Sequence, residues 1–353
     1  MTSTTTTAEG VPTPAPEEPA TPAPERTRSI PRAGWMVIAA KDFGDHLLSS
    51  RFIVLLLILG LAAGIPIFLA TEQIRNLASQ VSGVPALFIA LFIIGPQDVS
   101  IFQLDVTVQS FVGLVAPLLG LAFAFDAVNG ERSQGTLPRL LSQPIHRDDV
   151  INGKFVAGLA VIGLVLLTVC GTVAAFGLIK LGIVPAAYEV LRLLVWLGVT
   201  IVYVGLWLAF GLLLSVVVRR AATSALIGFG AWLVIAVFGQ FLARFVLAFL
   251  LPVSSALSEE NLQTLSAQTA LLRLLPTTLY NEISLVLLNP GLTQTSTPAT
   301  VGQTIQLGQQ IPSLLSLDQS FLLIWPQLVA LVAMMVICFA AAYVMFMRQE
   351  VRA

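Results

Sequence analysis

Six long apolar runs dominate this chain and restrict it to a membrane fold. A transmembrane helix needs about 20 consecutive, mostly apolar residues. The runs that meet this length are Phe52–Ala70, Val108–Phe125, Phe155–Ile179, Val190–Val218, Ala225–Leu251 and Phe321–Met347. Hydrocarbon offers no partner to an exposed backbone polar group, so each run is expected to be helical. The sequence therefore predicts an all-α, polytopic membrane protein with six transmembrane helices.

The overall composition excludes a water-soluble globule of this length. Of 353 residues, 56% are hydrophobic and only 10% are charged, whereas soluble domains carry about 25% charged residues. The net charge of −1 gives no electrostatic reason to expect nucleic-acid binding. The two cysteines, Cys170 and Cys338, both fall inside apolar runs. They are therefore interpreted as small buried hydrophobic residues rather than as a disulfide framework.

Residues 1–33 differ in composition from the rest of the chain. Thr, Pro, Ala and Glu dominate this segment, and it contains no apolar cluster. Such a segment cannot bury enough surface to offset its conformational entropy, so a disordered cytoplasmic tail is predicted. The segment lacks the apolar stretch of a signal peptide. A recruitment role for this tail is the functional alternative, and residues 34–353 are predicted to form the six-helix domain.

The distribution of Lys and Arg predicts how the spans are oriented. Most basic residues precede the first run, connect runs two and three or four and five, or follow the last run. The positive-inside rule then places both termini in the cytoplasm and loops 71–107 and 252–320 outside. The apolar segment Val84–Gly95 is about a dozen residues long, which is too short for a span and typical of a re-entrant or interfacial segment. If it did span, the later loops would change sides.

Two segments outside the spans also have helical patterns. Apolar residues recur at helical spacing in Trp35–Ser50, which predicts an amphipathic helix in the cytoplasmic interface, with an extension of the first span as the alternative. In the second outer loop, Ser258 resembles a helix cap and is followed by two acids and a leucine face. We expect a small helical cap there, ended by Pro276. The other outer residues are expected to form small, irregular loops.

A compact charged loop separates the second and third runs. It extends from Phe125 to Lys154 and alternates acidic and basic residues. Gly130 and Gly135 allow tight turns on either side of Glu131 and Arg132. A short amphipathic helix with leucines on one face is expected to follow. The loop is therefore predicted to be a rigid elbow that faces water and is tied to two transmembrane helices, so that force on the elbow tilts both.

The elbow also carries the residues of a recognisable family. Its pattern, F-D-x-V-x-G-E-R-x-x-G-T-L-x-x-L-L-S-x-P-I-x-R-x-x-V-I-x-G-K, resembles the signature of type-2 ABC exporter permeases. The subgroup that it resembles most contains the permease of the nitrous oxide reductase maturation system. The segment from Lys41 to Phe52 resembles the connecting helix of the family, with Asp42 where Glu is common. Leu214–Arg220 resembles the linker between spans four and five.

The resemblance implies a permease subunit of an ATP-binding cassette exporter in the plasma or inner membrane. Two such subunits, identical or paralogous, are expected to pair with two cytoplasmic ABC ATPase subunits that bind ATP and Mg²⁺. This chain itself would bind no cofactor. The coupling positions that the resemblance carries over to this chain are Glu131, Arg132, Gly135, Thr136, Leu137, Leu140, Leu141 and Arg147. Glu131 and Arg132 are the favoured partners of ATPase charges, and the alternative is that they pair with each other or with Asp148.

The sequence offers no catalytic or metal site. No G-x-x-x-x-G-K-[ST] phosphate loop occurs, and Gly153-Lys154 lacks the upstream glycine. His46 and His146 are far apart in the chain, and neither H-E-x-x-H nor G-x-S-x-G is present. The chain is therefore predicted not to be an enzyme. Arg244, toward the outer end of the fifth span, is a candidate charge at an outer gate, with an interfacial anchor as the alternative.

Two other functions remain open from the sequence. An ATPase-independent secondary transporter or channel would work alone, although the spans carry almost no mid-membrane acids for ion coupling. A membrane scaffold would use the elbow only for binding. Transport without an ATPase would indicate a carrier or channel, and complex formation without substrate-stimulated ATP hydrolysis would indicate a scaffold.

Overall fold

The described part of the chain is built almost entirely from helices. The computed structural model describes residues 2–3, 34–71, 75, 87–95, 100–101, 104–135, 146–251, 259–291 and 315–349. The helices are α1 (Gly34–Leu47), α2 (Ser50–Leu69), α3 (Leu87–Ala90), α4 (Val108–Ala124), α5 (Asn129–Ser133), α6 (Arg147–Leu181), α7 (Ala187–Val217), α8 (Ala221–Trp232), α9 (Gly239–Leu250), α10 (Glu259–Leu272), α11 (Pro276–Leu288) and α12 (Leu317–Arg348). A π-helical segment, Leu233–Phe238, joins α8 to α9, and the short strands β1 (Ser100–Ile101) and β2 (Leu104–Asp105) pair antiparallel.

The prediction of six transmembrane helices is confirmed. The helices long and apolar enough to cross a membrane are Ser50–Leu69, Val108–Ser133, Arg147–Leu181, Ala187–Val217, Ala221–Leu250 and Leu317–Arg348. Several are longer than their apolar runs. The third span has 35 residues, and at about 1.5 Å per residue it is longer than the hydrocarbon core. Its first turns therefore carry the charged end of the elbow beyond the lipid.

Helix α7 forms the centre of the bundle. It packs against α4, α6, α11 and α12, and it is the most buried of the spans. Trp196 and Tyr203 on α7 are fully buried. Their polar atoms are satisfied, because Trp196 Nε1 donates to Ser284 Oγ and the Tyr203 hydroxyl donates to the Gly113 carbonyl. Helices α2, α8 and α9 instead expose apolar side chains, as expected of surfaces that face lipid or another membrane subunit.

A glycine sets the distance between α4 and α7. A Cβ atom at Gly120 would lie 2.6 Å from the Val204 carbonyl oxygen and 2.7 Å from the Leu208 nitrogen. Both are backbone atoms, which cannot move aside as the end of a side chain can. The absence of a side chain at Gly120 therefore allows the two central helices to touch along their backbones.

The predicted amphipathic segment is a helix separate from the first span. Helix α1 ends at Leu47, and the Ser49 side chain caps α2 by accepting a hydrogen bond from the Phe52 N–H. The alternative of a continuous first span is therefore wrong for the described residues. The face that α1 buries against α6 contains Ile38 and Asp42. The burial of Asp42 does not follow from the apolar periodicity of the segment, and an ion pair described below accounts for it.

The short apolar segment after the first span is a buried turn and not a span. Helix α3 and the turn that follows it are packed inside the bundle, with Phe92 against Trp196 at 5.5 Å between ring centroids. Glu189 at the start of α7 accepts hydrogen bonds from the backbone N–H groups of Phe88 and Ile89. The prediction that segment Val84–Gly95 is too short to cross the membrane therefore agrees with the structure of residues 87–95.

Two ionisable residues near the start of α7 are buried within the protein. Glu189 is 4% exposed and Arg192 is 2% exposed. Arg192 Nη1 donates to the Leu287 carbonyl and to Ser320 Oγ, both at 3.2 Å, and Nη2 donates to the Leu315 carbonyl. Two carbonyls and a hydroxyl thus satisfy the guanidinium inside the protein.

The second outer loop contains a bent pair of helices. Helix α10 ends at Leu272, before Pro276 as predicted, but Pro276 then occupies the first turn of a second helix, α11. The two helices meet at a bend of 107°. Proline is tolerated at this position because the first-turn N–H groups have no partner within the helix. The prediction of a single cap helix missed α11, which is largely buried against α7 and α12.

Several sequence predictions concern residues outside the described ranges. The predicted disordered tail, residues 1–33, is described only at residues 2–3, and the chain divides between Arg32 and Ala33 into that part and the membrane domain. Most of loop 71–107 and residues 252–258 and 292–314 of the second outer loop, with the predicted helix cap Ser258, also lie outside. Cys170 and Cys338 are free thiols, and both are partly exposed rather than fully buried as predicted.

Candidate functional site

A buried lysine joins three elements at the elbow end of the bundle, which we define as the end carrying residues 126–135 and 146–154. Lys154 Nζ on α6 lies 2.7 Å from Glu131 Oε1 on α5 and 3.1 Å from Asp42 Oδ2 on α1. The Lys154 side chain is 7% exposed, while those of Asp42 and Glu131 are 12% and 23% exposed. We call these three residues the lysine cluster. Two carboxylates compensate the desolvation of one ammonium group, so the cluster holds α1 and α5 on α6.

The residue before the lysine explains how α1 approaches so closely. A Cβ atom at Gly153 would lie 2.8 Å from the Trp35 carbonyl oxygen and 2.8 Å from Ile38 Cβ. Helix α1 therefore lies directly on the α6 backbone at this point. This close approach brings Asp42, one helical turn after Ile38, within reach of Lys154.

A second ion pair ties the start of the first span to the beginning of the elbow. Arg51 Nη1 lies 2.7 Å from Asp126 Oδ2, and its guanidinium lies 5.2 Å from the centre of the Phe125 ring. Between this pair and the lysine cluster is an open cavity of about 330 Å³. Acidic and basic side chains both line it, so the cavity has no single sign of charge.

Hydrogen bonds clamp α5 onto the end of α7. Ser215 Oγ accepts from the backbone N–H groups of Val128 and Asn129 at 2.9 and 3.2 Å. The Asn129 side-chain amide donates to the Val218 carbonyl at 3.2 Å. These contacts satisfy the N-terminal N–H groups of a helix that has no side-chain cap of its own. The beginning of the elbow is therefore fixed to the central helix.

The two arginines of the elbow converge on the residue that follows the last span. Arg132 Nη2 donates to Gln349 Oε1, and Arg147 Nη2 donates to the Gln349 carbonyl at 2.8 Å. Gln349 Nε2 in turn donates to the Val216 carbonyl at 2.7 Å. The Arg147 guanidinium also lies 5.9 Å from the centre of the Phe346 ring. Both sides of the elbow are thus joined to α12 and α7.

The predicted coupling residues divide into described and undescribed positions. Glu131, Arg132, Gly135 and Arg147 are described, and Gly135 has a φ of 68° that glycine adopts at low cost. Gly130 lies within α5 and makes no such turn. Thr136, Leu137, Leu140 and Leu141 lie outside the described residues. The tip of α5 is exposed at Ser133, Gln134 and Gly135. The surface of these three residues is therefore accessible to a partner.

The structure assigns internal partners to the two favoured charges. Glu131 pairs with Lys154, and Arg132 bonds to Gln349. The alternative interpretation was that Glu131 and Arg132 pair with each other or with Asp148. The partners named above are different residues. Contact between these charges and an ATPase remains a prediction.

A histidine on α1, His46, borders the lysine cluster. Its ring lies 5.0 Å from the Phe123 ring, between centroids. Burial lowers the pKa of His46 below its usual value of 6.5, and Lys154 acts in the same direction. Asp42, Asp45 and Asp126 oppose this shift without overcoming it. The ring is therefore neutral in the folded protein at pH 7.

Sequence reasoning missed the roles of Asp42, Gly153 and Lys154. Gly153-Lys154 was considered only as a nucleotide motif, and Asp42 only as a departure from the family pattern. A lysine in the turn that leads into an apolar run was the available signal, because such a charge needs a partner at the membrane edge. Nothing local to the sequence showed which carboxylates would supply it.

Arg244 lies at the opposite end of the bundle. It occupies α9, is exposed, and lines a small pocket together with residues of α4, α7 and α11. This position agrees with a charge near an outer opening, although its proposed role at a gate stays a prediction. Among the described residues, no group of three or more His, Cys, Asp or Glu side chains is placed to hold a metal ion.

Comparison with known proteins adds independent information. A family model described as ABC-2 family transporter protein matches residues 36–351. Over 131 residues the chain is 29% identical to a protein of Stutzerimonas stutzeri named as the probable ABC transporter permease protein NosY. That alignment covers 36% of this chain and 46% of the relative, so the chain matches less than half the length of that protein.

Proposed function

Because this chain belongs to the ABC-2 family of transporter proteins and is the membrane subunit of an ABC transporter, we propose that a separate ATPase drives it. In this proposal, two permease subunits, identical or paralogous, assemble with two cytoplasmic ATPase subunits. ATP and Mg²⁺ are bound by the ATPases and not by this chain. Closure of the ATPases moves the elbow, and the elbow movement switches the substrate path for export.

The lysine cluster is the observation that supports the proposal best. Lys154 binds carboxylates from α1 and α5 while standing at the start of the third span. A displacement of α5 therefore pulls on α6 directly and on α1 through the same ammonium group. The hydrogen bonds to Ser215 and Gln349 extend this connection to α7 and α12. A movement at the elbow tip can thus reach four elements without passing through flexible backbone.

The proposed orientation follows from the same end of the molecule. Ion pairs and exposed charges concentrate at the elbow end, and loops rich in Lys and Arg face the cytoplasm in most membrane proteins. We place the elbow end and both termini in the cytoplasm, where an ATPase is available.

Co-purification from mild detergent tests the proposal. A subunit with a phosphate-loop motif is expected to elute with the tagged permease in equal amounts, and the complex is expected to hydrolyse ATP. Hydrolysis by the isolated permease would contradict the division of labour. Transport by the permease alone would instead indicate a secondary carrier, and a stable complex without ATP hydrolysis would indicate a scaffold.

A double substitution separates the coupling role from assembly. Glu131→Ala with Arg132→Ala removes the internal partners of Lys154 and Gln349 and is expected to abolish stimulation of the ATPase by the permease. Lys180→Ala, an exposed substitution at the far end of α6, serves as the control and is expected to leave stimulation intact. If the double variant assembles and stimulates as the wild type does, the elbow charges have no coupling role.

A further inference from the structure

A small pocket at the end of the bundle opposite the elbow is rich in hydrogen-bond donors. It has a volume of about 70 Å³ and lies where α4, α7, α9 and α11 meet. The lining includes Arg244, Gln240, Thr277 and Asn281. This volume accommodates a small polar group but excludes a large molecule. The pocket is therefore suited to one functional group of a ligand rather than to a whole substrate.

One hydroxyl in the lining has no partner. Thr277 is 6% exposed, and its Oγ1 atom makes no hydrogen bond. A buried hydroxyl without a partner destabilises the folded protein, and such groups are uncommon in native structures. Thr277 also stands in the first turn of α11, where the helix dipole favours negative charge.

The other polar groups present donors to the same space. Asn281 Oδ1 accepts a hydrogen bond from Gln109 Nε2 at 3.1 Å, which leaves the Asn281 NH₂ group to donate into the pocket. The Arg244 guanidinium has donors only and keeps its charge at all relevant pH values. Arg244 and Gln240 reach the pocket from α9, just beyond the π-helical segment, a type of distortion common at functional sites.

The carboxylate nearest along α11 is already occupied. Arg273 Nε lies 2.9 Å from Glu282 Oε2. The same oxygen accepts a hydrogen bond from Gln327 Nε2 at 3.0 Å. No carboxylate lines the pocket, and among the described residues none pairs with Arg244. The charge of the arginine is therefore left for a ligand.

From this geometry we propose that the pocket binds the oxyanion of an amphipathic molecule: a phosphate, sulfonate or carboxylate group. Arg244 supplies the charge, while Thr277 and Asn281 donate hydrogen bonds to the oxygens. The apolar portion of the ligand lies against the exposed apolar face of α9, which includes Phe241 and Phe245. This inference rests on the proposed function as a permease, and it adds the chemical class of molecule that reaches this end of the bundle.

The test is direct binding to the full-length permease purified alone in a neutral detergent. Hexyl phosphate and hexanoate are titrated against the wild type, with hexanol as the neutral match, and affinity is measured by calorimetry. Both anions are expected to bind saturably, whereas hexanol is expected to show no saturable binding. Arg244→Gln is expected to weaken the affinity for both anions about tenfold or more, as loss of a charge-assisted hydrogen bond does. Thr277→Val is expected to weaken it about threefold to tenfold.

Lys180→Gln is the matched control, since it removes an exposed cation from the same end of the bundle without touching the pocket. Equal affinity for hexanol, or equal anion affinity in the wild type and both pocket variants, would overturn the proposal. Because Thr277→Val removes a hydroxyl that has no partner, it preserves folding, and a loss of binding in that variant is attributable to the ligand.

The source of the oxyanion is distinguished by competition. If phosphatidylglycerol in nanodiscs displaces hexyl phosphate and phosphatidylcholine does not, the pocket holds a lipid headgroup. If neither lipid competes, the ligand is a transported amphiphile. If inorganic phosphate binds as tightly as hexyl phosphate, the ligand is a free anion. The first two results support the proposal, whereas the third would overturn its amphipathic part. The assay needs no ATPase, so failure to find an ATPase partner leaves its result unaffected.

Discussion

At the residue scale, the elbow end depends on a few charges that are satisfied inside the protein. Lys154 is buried only because Asp42 and Glu131 approach it from two other elements. A lone ammonium group in that position would lose its hydration without compensation. The same reasoning applies to Arg192, whose guanidinium bonds to two carbonyls and a hydroxyl.

Replacing the lysine is expected to destabilise the protein strongly. Lys154→Met leaves two carboxylates without their cation, and breaking a buried ion pair costs about 3 kcal/mol or more. The apparent melting temperature in detergent is expected to fall well below that of the wild type. Lys180→Met, on the exposed far end of the same helix, is the control. An equal shift in both variants would show that the lysine cluster contributes nothing.

The stability of the elbow end is expected to depend on pH through His46. Its pKa in the folded protein lies below 6.5 because the ring is buried, so below that pH the unfolded chain binds more protons than the folded one. The free energy of unfolding therefore falls as the pH decreases from 6.5 through the pKa of the folded state. Melting temperatures measured from pH 7.5 to pH 5 test this. His46→Gln is expected to flatten the dependence, and an unchanged slope in that variant would assign it to other groups.

At the scale of elements, the central helices are held together by backbone contact. Helices α4 and α7 touch at Gly120, and helices α1 and α6 touch at Gly153. Small residues at helix crossings increase van der Waals contact where there is no difference in hydrophobicity between lipid and protein. The order of the spans along the chain did not reveal these crossings, because a glycine in an apolar run also occurs on faces that touch nothing.

Glycine substitutions distinguish the two situations. Gly120→Ala places a methyl group against the α7 backbone and is expected to cost about 1–3 kcal/mol of stability through forced separation of the helices. A Cβ atom at Gly198 on α7 would have no heavy atom of another side chain or element within 4 Å, so Gly198→Ala is expected to be neutral or slightly stabilising. Thermal unfolding of both variants tests this, and a neutral Gly120→Ala would rule out tight packing at this crossing.

At the scale of the whole molecule, the ion pairs are distributed unequally between the two ends of the bundle. The elbow end collects ion pairs from α1, α2, α5 and α6. The other end buries Glu189, Arg192 and Glu282 within the bent helices and the tops of the spans. Glu189, Arg192 and Glu282 therefore add no exposed charge to that end, where Lys180 and Arg244 are among the exposed basic residues.

Accessibility labelling tests the orientation. In a variant with Cys170→Ala and Cys338→Ala, a single cysteine is introduced either as Ser133→Cys at the elbow tip or as Gln263→Cys on α10. Both parent residues are exposed. An impermeant maleimide added to intact cells is expected to label position 263 and not position 133. The reverse pattern would invert the proposed topology.

The number and type of the spans followed from the sequence alone. Each apolar run is long enough that a membrane helix is its one low-energy state, so length and composition suffice without knowledge of neighbours. The separate N-terminal helix was also predictable, because its periodicity is local. In the candidate site, the elbow could be located because a dense group of charges between two spans cannot enter lipid.

Contacts between distant segments were decided only by the tertiary structure. The partners of Lys154 lie 112 and 23 residues away along the chain, and the groups that bind Arg192 are at least 95 residues away. Helix α11 was missed for a similar reason, since its burial between α7 and α12 is a property of the assembled bundle. Periodicity and hydropathy report how a segment meets its solvent, whereas the pairing of buried charges depends on which helices fold against each other.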